Sequence, residues 1–508
     1  MTEALPLDGN SLTLDQFLAV TRSGCPVSLS GEARARVQES RRAVERAVAA
    51  GRAVYGITTG FGRLSDQAIP RDKARELQIS LLRSHASGSG PALRGDIVRG
   101  MLLLRLNSLA RGVSGVRPEL LDRLADFLNL QLVPFVPEQG SVGASGDLAP
   151  LAHLALTLVG EGAFIGDGGA PTPASELLAR HGLAPLGLVE KEGVALINGT
   201  SLMASYLAHS VADGRALLAA AEVAAALSFD ALLGNTESLD DRLGDLRHQP
   251  EQRREAAILR TLLEGSGLGR RPSEYRGQDP YTLRCLPQVL AAVRLALDFA
   301  GGILERELNA VSDNPVAVGG DEFISGGNFH GQHLALALDT LALGMQYIAG
   351  FSERRIARLI NPSLNRGLPA FLAPDPGVSS GFMIPQYLAA ALVNENATLA
   401  HPASAVSLPT SADQEDFVSM GAWAGAKLQR LMANARTVVA VEWIVAAQGL
   451  ELRRPIRGGH GSEAALRALR ERVAPLGADR SPAPDIERVS AAIQDGSLVS
   501  RVRADVPF

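Results

Sequence analysis

The sequence predicts a mainly α-helical protein with a long central helical bundle and a few short hairpins. Three observations carry that expectation. The 508-residue chain is 46% apolar but only 4% aromatic, so its core must be Leu, Ala and Val, and Ala and Leu are the best helix formers. Leu283, Leu286, Leu290, Val293, Leu297 and Leu304 recur at spacings of three, four and seven, which marks one apolar helix face. Comparable runs cover Thr200 to Leu233, His330 to Ile360 and Gln414 to Leu450, and four long segments of this kind suggest a bundle.

Each element has its own local reason. The run from Leu283 continues to about Asn314 with no proline after Pro287, giving a helix of roughly 40 Å. Ala163 to Thr172, with Gly-Asp-Gly-Gly inside, reads as a small hairpin, and Val316 to Ile324, with Gly319-Gly320, as another. Pro362 to Pro376 is proline-rich but holds apolar residues and Arg366, so an ordered loop is expected. The coarse division is an N-terminal region 1–200, a central long-helix bundle 201–450 and a C-terminal helical part 451–508, within one continuous subunit.

Composition excludes several classes. The formal net charge is −5 from 49 basic and 54 acidic residues, well mixed, so nothing supports nucleic-acid binding. Two cysteines, Cys25 and Cys285, make no disulfide framework and suit a reducing cytoplasm. The first residues carry Glu3, Asp8 and Asp15 and lack a signal pattern. The apolar stretch Ala216 to Leu233 is interrupted by Glu222 and Asp230 and reads as a buried bundle helix, so no membrane contact is expected. No zinc-type Cys/His spacing occurs, so no metal is expected.

The most informative stretch is Gly140 to Pro150. Attack of the Gly146 nitrogen on the Ala144 carbonyl carbon would close a five-membered ring. Loss of two waters, one from the ring and one from the Ser145 hydroxymethyl, would leave a 4-methylidene-imidazol-5-one (MIO), an electrophile no standard side chain provides. The attack needs a compressed turn, which glycine permits. The same residues also make an ordinary loop and helix start, with Ser145 as N-cap and Asp147 at the positive helix end.

Other polar clusters interrupt the apolar pattern. They are Tyr55 in Tyr-Gly-Ile-Thr-Thr-Gly, His85 in Ser-His-Ala-Ser-Gly, Asn198 before Gly199-Thr200, Gln278 to Cys285, Asn328 to Gln332, and Gln414-Glu415-Asp416. Tyr281 and Arg284 lie three apart and share a face. Helix starts converging on one point would offer a positive field to a carboxylate substrate.

Six motifs in this order resemble the MIO-dependent aromatic amino acid lyase family. They are the Tyr55 loop, Gly143 to Leu151, Ala195 to Thr200, Tyr281 to Cys285, Gly327 to Gly331 and Ser407 to Asp416. The resemblance is to its histidine ammonia-lyase branch. It implies an aspartase/fumarase-like helical fold, a homotetramer with sites at subunit contacts, MIO formed autocatalytically from Ala144-Ser145-Gly146, and no external cofactor. It also implies elimination of ammonia from L-histidine to give trans-urocanate, the first step of histidine degradation. The residue roles follow from the same resemblance. Tyr55 takes the β-proton, with Glu415 as competing base, and Arg284 pairs with the substrate carboxylate. Asn198 supports that carboxylate or the MIO oxygen, His85 and Glu415 hold the imidazole, and Tyr281, Gln278 and Phe329 shape the pocket and proton relay.

Ser84-His85 is the pair of the histidine branch, shared with some tyrosine aminomutases. A carboxylate at Glu415 can accept an imidazole N–H where a phenyl ring offers none. Phe417 and Gln332 depart from the branch, which commonly has His and Glu there. A fumarase/aspartase-type lyase without MIO would need its own mobile serine loop, of which the sequence carries no signature, and a helical scaffold leaves Tyr55, Asn198, Tyr281 and Arg284 at helix starts unexplained. A tyrosine/phenylalanine ammonia-lyase or aminomutase is the nearest alternative.

Overall fold

The computed structural model describes residues 3–54, 56–59, 73–144, 146–269 and 277–508, and Tyr55 and Ser145 fall outside them. Nineteen α-helices and eight short strands occur among the described residues, so the fold is mainly helical as expected. The chain divides into two compact units, each discontinuous in sequence. One comprises Met1–His209, Gly301–Asp339 and Pro402–Ala426, the other Ser210–Ala300, Thr340–His401 and Lys427–Phe508.

The first unit holds all four two-stranded sheets among the described residues. Both expected hairpins form: Ala163–Ile165 pairs antiparallel with Pro171–Pro173, and Val316–Gly319 with Glu322–Ile324. Two further pairs were not legible. Leu5–Leu7 runs parallel to Val27–Leu29, and Ser89–Ala92 antiparallel to Pro137–Gln139. Three or four residues are too few for alternation to register. The centre of this unit is the Gly95–Ala110 helix, in which every residue from Ile97 to Ala110 except Arg99 is buried. A helix enclosed on all sides must pair any charge it carries, and Arg105 sits in its middle.

The second unit is helical. Its bundle carries a buried polar spine in which Arg355 Nε lies 2.5 Å from Glu442 Oε1, while Ser228 Oγ donates to the same oxygen at 2.6 Å. The three residues tie helices Ser201–Ala231, Gln332–Ile360 and Gly421–Glu451 together. Removing one partner would strand a buried charge, typically costing ~3–5 kcal/mol.

Two long runs are shorter than their periodicity implied. The Leu283 run breaks at Cys285 (φ −105°, ψ 16°) into Tyr281–Arg284 and Leu286–Glu307. Pro287 lacks an N–H and begins a helix more readily than it continues one. The 22 residues of the second helix span about 33 Å. The Gln414 run becomes helical only at Gly421: Glu415 bridges back to Thr410, and Met420, just before the helix, is left-handed (φ 55°). Pro362 to Pro376 is an ordered loop, anchored by an ion pair of 2.5 Å from Arg366 to the buried Asp279. Helices Leu286–Glu307 and Gln332–Ile360 are long and apolar enough to cross a membrane, and 56% and 61% of their most apolar windows are buried inside the protein.

Candidate active site

The Gly143–Asp147 loop rests on the start of the Ser201–Ala231 helix. Gly146 is left-handed (φ +75°) and bridges to Gly199, and a Cβ on Gly146 would lie 2.0 Å from the Gly199 carbonyl oxygen. Only glycine fits there, by torsion and by space alike. Ala144 is buried. The backbone around the expected ring closure therefore suits MIO: a small residue whose carbonyl is attacked, and a glycine whose nitrogen attacks.

Asp147 does not act as the sequence suggested. It occupies the N-cap position of Leu148–Leu158 but makes no side-chain cap there. Its Oδ2 instead accepts from the Leu202 and Met203 N–H groups at 2.8 and 3.1 Å, and its Oδ1 from Ser141 Oγ at 3.3 Å. It caps a helix distant in sequence and locks the loop to it. The positive end of that helix is thus answered by protein, not left for a substrate. Burial pushes the Asp147 carboxyl up to about 7, against the pull of those three donors.

The folded protein therefore binds this proton more tightly than the unfolded chain does. The resulting stabilisation is full below the unfolded pKa near 3.8 and is lost as pH rises towards 7. A shift of that size corresponds to on the order of 4 kcal/mol. Asp147→Asn should flatten the decline in unfolding midpoint between those pH values, read by urea titration at several pH values. An unchanged slope would remove Asp147 as its source.

Met203 is the knob around which three motifs close. It is fully buried, and a Cβ on Gly331 or Gly421 would lie 2.3 Å from its Cε or 2.4 Å from its Sδ. Ser419 Oγ donates to the Gly143 carbonyl at 3.2 Å, and the Met420 N–H to the Val142 carbonyl at 2.9 Å. The loop, the Phe329-His330-Gly331 turn and the segment after Glu415 thus share one packing site. His330 Nε2 also lies 3.0 Å from the Phe417 carbonyl oxygen.

Beneath Asn198 lies a buried ionic group that sequence reading missed. Arg105 donates to the Asn198 carbonyl at 2.7 Å, and Lys191 Nζ lies 2.7 Å from Asp313 Oδ2, both side chains enclosed. Burial lowers the pKa of Arg105 and of Lys191, and the Asp313 charge opposes this in both. The available signal was a lone arginine inside the apolar run Met101-Leu-Leu-Leu-Arg-Leu. Asn198 caps the end of the Glu192–Ile197 helix, and its Nδ2 donates to the Asn314 carbonyl at 3.0 Å. Its Oδ1 is buried without a partner among the described residues. The uncommitted atom is an acceptor, which suits an N–H or ammonium better than the carboxylate foreseen from sequence.

His85 is the last residue of the Ala74–His85 helix, not a loop residue. Its Nδ1 lies 2.9 Å from the Leu81 carbonyl oxygen and 3.0 Å from Ser84 Oγ, so Nε2 is the ring nitrogen that these contacts leave open. Gly88, three residues on, packs against Gly140 at the head of the loop. Glu415 is half-buried; its Oε2 accepts from Thr410 Oγ1 at 3.0 Å, and the two backbones bridge. Phe329 is half-buried, while Phe417 is 58% exposed.

Gln278, Tyr281 and Arg284 form a separate group in the second unit. Arg284 Nε donates to the Asp279 carbonyl at 2.8 Å and its guanidinium lies 4.5 Å from the Tyr281 ring centroid, so the two do share a face. No carboxylate pairs with Arg284 among the described residues, leaving its two terminal nitrogens for a forked contact. Tyr281 is 65% exposed and Gln278 is exposed.

The first unit thus carries His85, Glu415, Asn198 with its unpartnered amide oxygen, and the Ala144 and Gly146 backbone, while Arg284 belongs to the second. The family model described as aromatic amino acid lyase matches residues 12–471, and the chain belongs to that family. The histidine ammonia-lyase of Symbiobacterium thermophilum is 51% identical over 503 residues, 99% of either chain. That of Anaeromyxobacter sp. (strain K) is 48% identical, over 98% of this chain and 99% of its own. Among solved structures, the tyrosine aminomutase from Streptomyces globisporus has a TM-score of 0.95 at 37% identity, covering 100% of this chain and 99% of its own. The histidine ammonia-lyase from Trypanosoma cruzi has a TM-score of 0.92 at 39% identity, covering 99% and 96%.

Proposed function

We propose that the chain is a histidine ammonia-lyase, converting L-histidine to trans-urocanate and ammonia. The observation that carries this is full-length similarity to histidine ammonia-lyases at 51% and 48% identity. The Ser84-His85 pair and Glu415 agree with it. MIO formed from Ala144-Ser145-Gly146 supplies an electrophile for the substrate amine. Every other task falls to ordinary side chains. Arg284 clamps the substrate carboxylate through its free terminal nitrogens. His85 Nε2 accepts an imidazole N–H, and Glu415 holds the ring's other side. The Asn198 amide oxygen receives an N–H donor. Tyr281, Gln278 and Phe329 wall the pocket. Tyr55 takes the β-proton, which requires positive potential to lower a phenol normally near pKa 10.

The chain works as a homo-oligomer, a tetramer by family resemblance, in the cytoplasm. Exposed apolar surface supports the assembly. Tyr281, Tyr347 and Tyr387 are 65, 44 and 61% exposed and Trp423 is 55% exposed, in a protein with six tyrosines and two tryptophans. Light scattering should find a multimer, and dilution to monomer should abolish turnover; a fully active monomer would remove the assembly.

Incubation with L-histidine, L-tyrosine and L-phenylalanine separately tests the reaction. Absorbance should report urocanate from histidine and little coumarate from tyrosine. The similarity to a tyrosine aminomutase supplies the opposing outcome, in which tyrosine is consumed and a β-amino acid accumulates.

A further inference from the structure

Within the second unit a cavity of about 580 Å³ is lined by none of the residues given a catalytic or binding role above. Helices Ser201–Ala231, Pro250–Leu263, Leu286–Glu307 and Ser497–Asp505 contribute its walls. Four arginines from four different helices line it: Arg215, Arg254, Arg294 and Arg503. Arg294 is committed, with NH2 2.7 Å from Glu222 Oε1 and Nε 2.5 Å from Glu255 Oε1. Both carboxylates are almost wholly enclosed, and burial with mutual repulsion drives Glu222 well above the usual carboxylate range.

Arg215 and Arg254 make no hydrogen bond or ion pair with a described residue. Arg503 lies over the Phe508 ring at 4.7 Å, and its charge also draws on the enclosed Glu222, which Arg294 already holds. Asp298 is the one other carboxylate side chain on the wall. Elsewhere among the described residues, exposed arginines such as Arg83, Arg94 and Arg242 pair with a neighbouring acid. Three guanidiniums facing one cavity repel one another unless an anion joins them. Between them lies an apolar strip of Leu218, Ile258, Leu297 and Val499.

We propose that this cavity binds a phosphate-bearing organic anion of nucleoside-phosphate size, with the phosphates on Arg215, Arg254 and Arg503 and the organic part on the apolar strip. A guanidinium fork matches phosphate oxygens two at a time, and three forks favour a ligand with more than one negative charge. The cavity volume lies in the range of small-molecule sites.

Calorimetry on the intact oligomer with ADP, adenosine and inorganic phosphate tests the proposal. ADP should bind once per chain, tighter than phosphate, and adenosine should bind far more weakly. Arg215→Gln/Arg254→Gln should weaken ADP by about tenfold or more, and the double Lys variant should recover part of that loss. Both positions are exposed, so unfolding midpoints and ammonia-lyase turnover without ADP should not move. Silence of ADP and phosphate at millimolar concentration, ADP affinity untouched by the Gln pair, or phosphate binding as tightly as ADP would each overturn the proposal. Lyase activity on another amino acid would leave it standing, since the cavity does not depend on the catalytic reading.

Discussion

Purified protein should weigh two waters less than its sequence, about 36 Da, while Ser145→Ala should weigh what its sequence dictates. That variant should also lose histidine turnover by roughly 10³-fold or more, equivalent to at least ~4 kcal/mol of transition-state stabilisation. The Ser145 hydroxymethyl is the one source of an exocyclic carbon in Ala144-Ser145-Gly146, so without it no electrophile forms. The surrounding loop should remain folded, because its anchors lie elsewhere: the Asp147 carboxylate on Leu202 and Met203, the Asp147 N–H on the Gly199 carbonyl at 2.7 Å, and Ser419 on Gly143. Ser145→Ala is therefore expected to keep the wild-type unfolding midpoint. Gly146→Ala should not, since its Cβ would strike Gly199 and its φ of +75° strains any L side chain. Active protein at its unmodified mass would end the MIO reading, and a Ser145→Ala variant that unfolds would leave its lost activity attributable to the fold.

What was legible in the sequence divides along physical lines. The long helices announced themselves because 22 to 31 residues of apolar periodicity exceed chance. The hairpins did so through glycine pairs at the reversals. Their ends were less visible. A left-handed Met420, which is not glycine and so carries no compositional mark, sits immediately before the helix start at Gly421. The candidate site was legible as a set of motifs but not as an arrangement. That Asp147 would cap a helix more than fifty residues away, or that Met203 would be clasped by glycines from separate motifs, depends on tertiary packing that no local pattern encodes. The Arg105, Lys191 and Asp313 group could have been suspected, since a charge inside an enclosed helix demands a partner, but its partner could not be named.

Glu415→Gln should damage histidine turnover strongly and tyrosine turnover little. A site built to hydrogen-bond a polar ring discriminates by about 10⁴-fold in favourable cases, because the wrong ring leaves buried polar groups unpaired. Two features hold Glu415 in the role proposed for it. Thr410 Oγ1 holds its Oε2 at 3.0 Å, and the backbone bridge between Thr410 and Glu415 fixes the turn that carries it. In the proposed site His85 meets the ring through Nε2, since Leu81 and Ser84 occupy its Nδ1. An imidazole can offer an N–H to one of these groups, and a protonated imidazole to both. The amide that replaces Glu415 keeps the shape and loses the charge, so a loss confined to histidine isolates the electrostatic contribution from packing. His85→Leu should lower histidine turnover while easing entry of a phenyl ring. The opposing expectation rests on Phe417, whose exposed ring would make the pocket aromatic. In that case tyrosine would be the better substrate and Glu415→Gln nearly silent. Side-by-side kcat/KM values for wild type and Glu415→Gln on histidine and tyrosine separate the two: a selective fall on histidine supports imidazole recognition, and equal values on both substrates would refute it.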